Sequence, residues 1–198
     1  AFAPRCICID IETAADNALE VHKFAVWRPD TLGSIVLSGA QIGASVDRID
    51  ALSEGAAFVL GHNVVRHDLP VLAKLFPSLK LTRLDAVDTL ELSPIAFPAN
   101  PYHSLVKDYK LVRDSRNDPL KDAQLALRLW RDQYAAFEEL KATSPDEVAC
   151  QHFLLTRGVM GGVGSFFARI RGALPPTASQ MRQSIPTLVN AKACPNQL

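Results

Sequence analysis

Two carboxylates at the end of an apolar stretch are the first residues in this chain that could perform chemistry. Residues 5–13 read Arg-Cys-Ile-Cys-Ile-Asp-Ile-Glu-Thr, a pattern typical of a short β-strand. Because side chains alternate along a strand, Asp10 and Glu12 share one face, about 7 Å apart at their Cα atoms. Two such acids repel each other and are costly to desolvate, so a divalent cation between them is one explanation. The alternative is a strand that has reached solvent, where acids are harmless.

The elements that must position these acids follow from hydrophobic periodicity and turn residues. Strands are predicted at 5–13, 23–28, 34–37, 58–60 and 84–90. Helices are predicted at 45–54, 68–75, 104–109, 118–140 and 144–158. The first three strands are joined by short turns, which indicates an antiparallel meander. Residues 93–101, with three prolines, are predicted to form a loop, and the glycine-rich residues 158–164 a flexible connector.

This order of strands and helices predicts an α/β fold, with a mixed sheet flanked by helices. The chain has 198 residues, 48% of them hydrophobic, which suits one domain with its own core and an appendage. We expect the domain at 1–142 and a helical extension with a linker-like tail at 143–198. The first strand lies close to the start, which is not a Met, so we expect a piece of a longer protein with further domains.

Charge and cysteine content narrow the possible partners and compartments. Lys plus Arg and Asp plus Glu each number 21, so a nucleic-acid partner would need a local basic patch. The four cysteines show no C-x-x-C spacing, and Cys6 and Cys8 share one face of the first strand. We expect these two to pack as small apolar residues in a reducing, cytoplasmic compartment. No segment is typical of a targeting peptide or a membrane span, so no membrane partner is expected.

Three further acids lie near the predicted ends of elements. Asp68 opens a helix, Asp122 lies one turn into the helix that Asp118 caps, and Asp88 lies in the fifth strand. An acid near a helix N-terminus is favourable by roughly 0.3–1 kcal/mol, which alone accounts for Asp68 and Asp122. Asp88 is interpreted as a turn or hydrogen-bonding residue.

As an ordered set, these segments resemble a known family. The matching segments are Asp-Ile-Glu-Thr at 10–13, Gly-His-Asn-Val-Val-Arg-His-Asp at 61–68, Asp-Thr-Leu at 88–90 and Asn-Asp-Pro-Leu-Lys-Asp-Ala at 117–123. Together they resemble the three motifs of the DnaQ-like (DEDD) 3′–5′ exonucleases, closest to the subgroup with a catalytic histidine. The resemblance covers about residues 5–140 and implies a ribonuclease H-like fold.

The resemblance also implies a chemistry. It assigns metal binding to four acids, which are Asp10, Glu12, Asp68 and Asp122. Two Mg²⁺ or Mn²⁺ ions about 3.5–4 Å apart would favour hydrolysis of a phosphodiester. The implied substrate is single-stranded DNA or RNA, cut from the 3′ end to nucleoside monophosphates. Thr13 and Ala14 correspond to contacts with the terminal nucleotide, and His62 and Asn63 to residues that hold the second motif or the substrate.

The sequence departs from the family at the position of the usual base. The histidine five positions before the last aspartate is replaced by Asn117, which cannot accept a proton at neutral pH. Three explanations stay open. In the first, the reaction proceeds without a protein base at a lower rate. In the second, His103 acts as the base, with His67 as the second choice. In the third, the domain has lost catalysis and kept nucleic-acid binding.

Basic residues between the second and third motifs are the candidate contacts with a nucleic-acid backbone. They are Lys107, Lys110, Arg113, Arg116 and Lys121. They alternate with acids and are therefore also consistent with a solvated face, although Lys107 and Lys110 are predicted to bind substrate. The pattern at 100–110 resembles exonuclease-like domains fused to helicases, so a fused or associated helicase is an expected partner. A catalytically inactive nucleic-acid-binding module and an interaction scaffold are the alternative functions.

Overall fold

The protein is described by a computed structural model that covers residues 5–103, 105, 118–156 and 161–184. Its five strands form one mixed sheet. They are β1 (Cys6–Thr13), β2 (Val21–Arg28), β3 (Gly33–Ser38), β4 (Phe58–Gly61) and β5 (Ala86–Asp88). The order across the sheet is β3-β2-β1-β4-β5, with β1 antiparallel to β2, β2 antiparallel to β3, and β4 and β5 parallel to β1. The predicted α/β fold and the meander of the first three strands are confirmed, and the strand order is consistent with a ribonuclease H-like fold.

Seven α-helices have their bounds within the described ranges. They are α1 (Gly39–Ile42), α2 (Val46–Ser53), α3 (Asp68–Leu75), α4 (Thr89–Ala96), α5 (Pro119–Thr143), α6 (Pro145–Thr156) and α7 (Gly162–Arg171). Short 3₁₀ turns occupy Gly43–Ser45 and Lys80–Arg83, and residues 178–184 are also helical. None of the helices in the described part of the chain combines the length and the apolar character that crossing a membrane requires. The chain divides into two compact units between Gln133 and Tyr134, inside α5.

The two faces of β1 carry different side chains, as alternation along the strand predicts. Ile7, Ile9 and Ile11 are buried in the main hydrophobic core on one face. Cys6 and Cys8 are buried free thiols on the other face, with their Sγ atoms 3.7 Å apart. The cysteines therefore pack as small apolar residues, and the same face continues along β1 to the two carboxylates.

The fifth strand is shorter than predicted, and a helix replaces the first four residues of the predicted loop at 93–101. Strand β5 ends at Asp88, whose side chain accepts the N–H of Leu90 and so caps α4. The helix continues through Pro94 and buries Leu92 almost completely. The cap and this burial offset the intrahelical hydrogen bond that Pro94 cannot make. The prediction of a strand to 90 was therefore wrong, and the predicted loop is confirmed only for residues 97–101.

The glycine-rich connector is also corrected in part, because α7 begins at Gly162. Gly162 and Gly164 are buried helical residues, and the adjacent Phe166 and Phe167 lie edge-on against Phe137, with ring centroids 5.6 Å and 5.0 Å away. These two glycines therefore belong to a buried helix and not to a connector. Residues 157–160 and nearly all of the predicted helix at 104–109 lie outside the described residues.

Candidate metal centre

The acids of β1 lie at the edge of the sheet where the parallel strands end. The pairing between β1 and β4 ends at Cys8 and Leu60, whereas β1 stays paired with β2 as far as Thr13. Asp10 and Glu12 therefore extend beyond β4, at the carboxyl ends of β1, β4 and β5. Ligands of open α/β sheets bind at this edge, so the position suits a functional site.

A third acid reaches the same place from α5. Asp118 caps this helix, since its Oδ1 accepts the N–H of Lys121 (3.3 Å) and its carbonyl accepts the N–H of Asp122 (3.1 Å). The predicted helix start at Asp118 is thus confirmed. Asp10, Glu12 and Asp122 each offer one carboxylate oxygen, and these oxygens lie within 4.8 Å of one another. We call these three residues the acid cluster.

The acid cluster can hold a divalent cation. An octahedral cation with metal–oxygen bonds of about 2.1 Å separates neighbouring ligand oxygens by about 3 Å and opposite ones by about 4 Å. Oxygens within 4.8 Å of one another are close to that spacing before any cation draws them together. An all-carboxylate set also has the chemistry that Mg²⁺ and Mn²⁺ prefer. The donor set and its spacing therefore fit the predicted type of ion.

Asp68, the fourth acid of the predicted set, lies beside the cluster. Its side chain is buried, with 3% of the residue exposed, and its Oδ1 accepts the N–H of Ile11 at 2.9 Å. Ile11 lies between Asp10 and Glu12, so the structure brings Asp68 to the same segment of β1. Burial raises the pKa of Asp68 to about 7, the charges of Asp88 and Glu12 add to the increase, and the Ile11 N–H opposes it.

The buried carboxylate of Asp88 connects three backbone N–H groups. Its Oδ1 accepts from Asn63 (2.8 Å) and Leu90 (2.9 Å), and its Oδ2 accepts from Val65 (3.0 Å). The hydrogen-bonding interpretation of Asp88 is confirmed. The contacts with residues 63 and 65 were not predicted, and the only sequence signal was an acid at a strand end before a helix.

The chain between β4 and Asp68 makes a tight turn that Gly61 and Asn63 allow. A Cβ at Gly61 would lie 2.8 Å from the Val64 Cβ and 3.1 Å from the Ile9 carbonyl oxygen, so no larger residue fits without displacement. Asn63 has a φ of 66°, a left-handed conformation that Asn tolerates better than most residues. The sequence Gly-His-Asn is therefore suited to this turn.

His62 links the turn to two later segments. Its Nε2 accepts the N–H of Leu105 (3.0 Å), so the ring proton of the neutral form lies on Nδ1 and is donated to Thr89 Oγ1 (2.9 Å). Burial lowers the pKa of His62, against the opposing effect of the Asp88 charge. Both ring nitrogens are thus engaged in holding the protein, and a substrate contact by His62 or Asn63 stays a prediction.

No protein-family model matches this chain. No curated protein is similar to it either.

The remaining predicted residues are distributed around the site or fall outside it. Thr13 follows a register shift at the end of β1, and the Ala14 N–H donates to the Glu20 carbonyl (2.9 Å), so both lie just past the acids on β1. His67 and His103 are half-buried, and a role as base stays a prediction for each. Five candidate residues lie outside the described residues, namely Lys107, Lys110, Arg113, Arg116 and Asn117.

Proposed function

We propose that this chain is a divalent-metal-dependent 3′–5′ exonuclease domain that shortens single-stranded DNA or RNA and releases nucleoside monophosphates. The observation that carries the proposal is the meeting of Asp10, Glu12 and Asp122 within 4.8 Å, with Asp68 bonded to the backbone between the first two. These are the four acids to which the family resemblance assigns metal binding. Their convergence from β1, α3 and α5 supports the assignment.

Each part of the fold has a distinct role in this proposal. Bound Mg²⁺ or Mn²⁺ supplies positive charge that favours attack on a phosphodiester and departure of the 3′ oxygen. Strand β1 fixes Asp10 and Glu12 on one face, and the Asp118 cap fixes the first turn of α5 with Asp122. Asp68 is held at the Ile11 N–H, where its carboxylate adjoins the cluster.

Binding of a nucleic acid should depend on the cation as well. Three clustered carboxylates repel phosphates, so affinity for a single-stranded 3′ end is expected to fall when the cation is removed. Of the five candidate basic residues, only Lys121 lies in the described ranges, and its Nζ is 3.1 Å from Asp118 Oδ2. The other four are proposed to contact the backbone, which predicts affinity that weakens steeply with salt.

A nucleic-acid-binding domain with weak or no catalysis is the second candidate. It is favoured by Asn117, which takes the place of the family's histidine and cannot act as a base near pH 7. In a longer protein, such a domain would direct a fused or associated helicase to 3′ ends. The two candidates share the metal centre and differ in turnover.

The test uses a 5′-labelled single-stranded oligonucleotide with Mn²⁺, Mg²⁺ or EDTA. The exonuclease produces a ladder that shortens from the 3′ end, is absent with EDTA, and falls on the order of 10²–10³-fold in Asp10→Ala. Asp50→Ala is the matched control, because Asp50 is an acid outside the cluster, where its side chain accepts the N–H of Lys80 at 2.9 Å. Cation-dependent binding without shortening would favour the second candidate, and neither binding nor shortening would exclude both.

A further inference from the structure

We infer that Asp88 is a positioning residue for Asp68, which it places against β1 by fastening the turn at residues 62–67. The inference rests on the proposed function only in that Asp68 then belongs to the metal centre. Asp88 is fully buried, and both of its oxygens are used by backbone N–H groups of other segments. The bonds to Asn63 and Val65 give Asp88 a structural route to Asp68 through the turn, in addition to the repulsion between the two carboxylates.

The geometry requires a carboxylate at position 88. Oδ1 serves Asn63 and Leu90, while Oδ2 serves Val65, so both oxygens must be acceptors. An asparagine has only one acceptor oxygen, and its NH₂ group would face an N–H donor on one side. Hydrogen bonds to an ionised acceptor in a buried setting are also stronger than neutral ones. Asp88 therefore holds the turn in a way that its amide isostere cannot.

From the turn, backbone hydrogen bonds lead directly to Asp68. The His67 N–H donates to the Asn63 carbonyl, and the Leu69 N–H donates to the Val64 carbonyl, each at 3.0 Å. These donors are the residues immediately before and after Asp68. The backbone on both sides of Asp68 is thus tied to the same short segment that the buried carboxylate fastens.

The end of this path is the Ile11 N–H. Because β4 pairs with β1 only as far as Cys8, no paired strand residue of β4 lies beside Ile11. The Asp68 Oδ1 fills that place at 2.9 Å. A shift of the turn would therefore be detected first at this amide, without any metal or substrate present.

The first experiment measures amide hydrogen exchange by NMR in the metal-free protein. Asp88→Ser keeps a hydroxyl that can cap α4 and lacks the second oxygen that Val65 needs, so it loosens the turn and leaves the cap in place. We expect exchange at Ile11 to rise about tenfold or more relative to Val26 of β2, as in Asp68→Ala, with no change in Asp50→Ala. Faster exchange at Asn63 and Val65 with an unchanged Ile11 amide would overturn the inference.

The second experiment is a double-mutant cycle on Mn²⁺ affinity, measured by calorimetry. Asp88→Ser should weaken Mn²⁺ binding about tenfold in the wild-type background, as losses in outer-shell partners typically do, and leave it unchanged in the Asp68→Ala background. Equal weakening in both backgrounds would show that Asp88 does not act through Asp68 and would overturn the inference. If no variant binds Mn²⁺, the proposed function fails, and the Ile11 exchange still decides the role of Asp88.

Discussion

Asp68 and Asp88 are two buried acids in the same part of the sheet, yet their carboxylates have very different hydrogen-bonding partners. Asp88 accepts three backbone N–H groups from two segments. Asp68 accepts the N–H of Ile11 and lies near the charges of Asp88 and Glu12, with its pKa raised to about 7. The difference separates an acid that stabilises the fold from one whose ionisation is costly unless a cation compensates it. An acid kept in such a costly position is typical of a functional site.

Removing the stabilising acid should give the largest loss of folding free energy. Asp88→Ala leaves three N–H groups without their acceptor, and we expect the free energy of unfolding in EDTA to fall by about 3–5 kcal/mol. Urea denaturation followed by circular dichroism measures it, with Asp50→Ala as the control for loss of one accepted N–H. A loss of free energy no larger than that of Asp50→Ala would contradict the stabilising role of Asp88.

Neutralising the costly acid should have the opposite effect on stability. Asp68→Asn can keep the bond to Ile11 without a buried charge, so the metal-free protein at pH 8 should gain on the order of 4 kcal/mol. The same variant should lose Mn²⁺ affinity and cleavage. A variant that is both less stable and fully active would remove Asp68 from the metal centre.

The difference in free energy of unfolding between the wild type and Asp68→Asn should also depend on pH. The unfolded Asp68 side chain ionises near pH 4, whereas the folded one keeps its proton to about pH 7, so the folded state binds more protons between these values. The stability that Asp68 contributes is therefore present at low pH and is lost as pH rises to about 7. Relative to Asp68→Asn, the wild type should lose stability across this window and level off above it. A constant difference from pH 4 to pH 8 would contradict the raised pKa.

The smallest effect, a change in Mn²⁺ affinity, is expected from replacing Lys23, the positively charged residue opposite Glu12. Lys23 pairs with Glu12 across β1 and β2, so its charge lies on the same face as the acids. Because it is solvent-exposed, Lys23→Met should raise Mn²⁺ affinity only about two- to threefold, as measured by calorimetry at low salt. A gain of tenfold or more would place Lys23 inside the site.

The sequence was sufficient for features that depend on local periodicity. Alternation along β1 predicts that Asp10 and Glu12 share a face, and Asp118-Pro119 predicts the start of the helix that carries Asp122. Both features depend on a few consecutive residues, so they can be recognised without knowing the fold.

The connections of Asp88 could not be predicted in this way. They require the turn after β4 and the start of α4 to meet at one carboxylate, which depends on the parallel pairing of β4 and β5. The same reason explains the missed start of α7. Gly162 and Gly164 are buried residues of a helix, and a glycine-rich sequence alone does not distinguish a buried helix from a flexible connector.

The early end of β4 has a consequence for how this chain can vary in length. The hairpin at 15–20 is exposed, so it can gain or lose residues at little cost. The span from Gly61 to Asp68 cannot change length in this way. An added residue would move the Asp68 carboxylate away from the Ile11 N–H, which no paired residue of β4 could accept in its place. Related chains should therefore vary in length at residues 15–20 and keep the same length between residues 61 and 68.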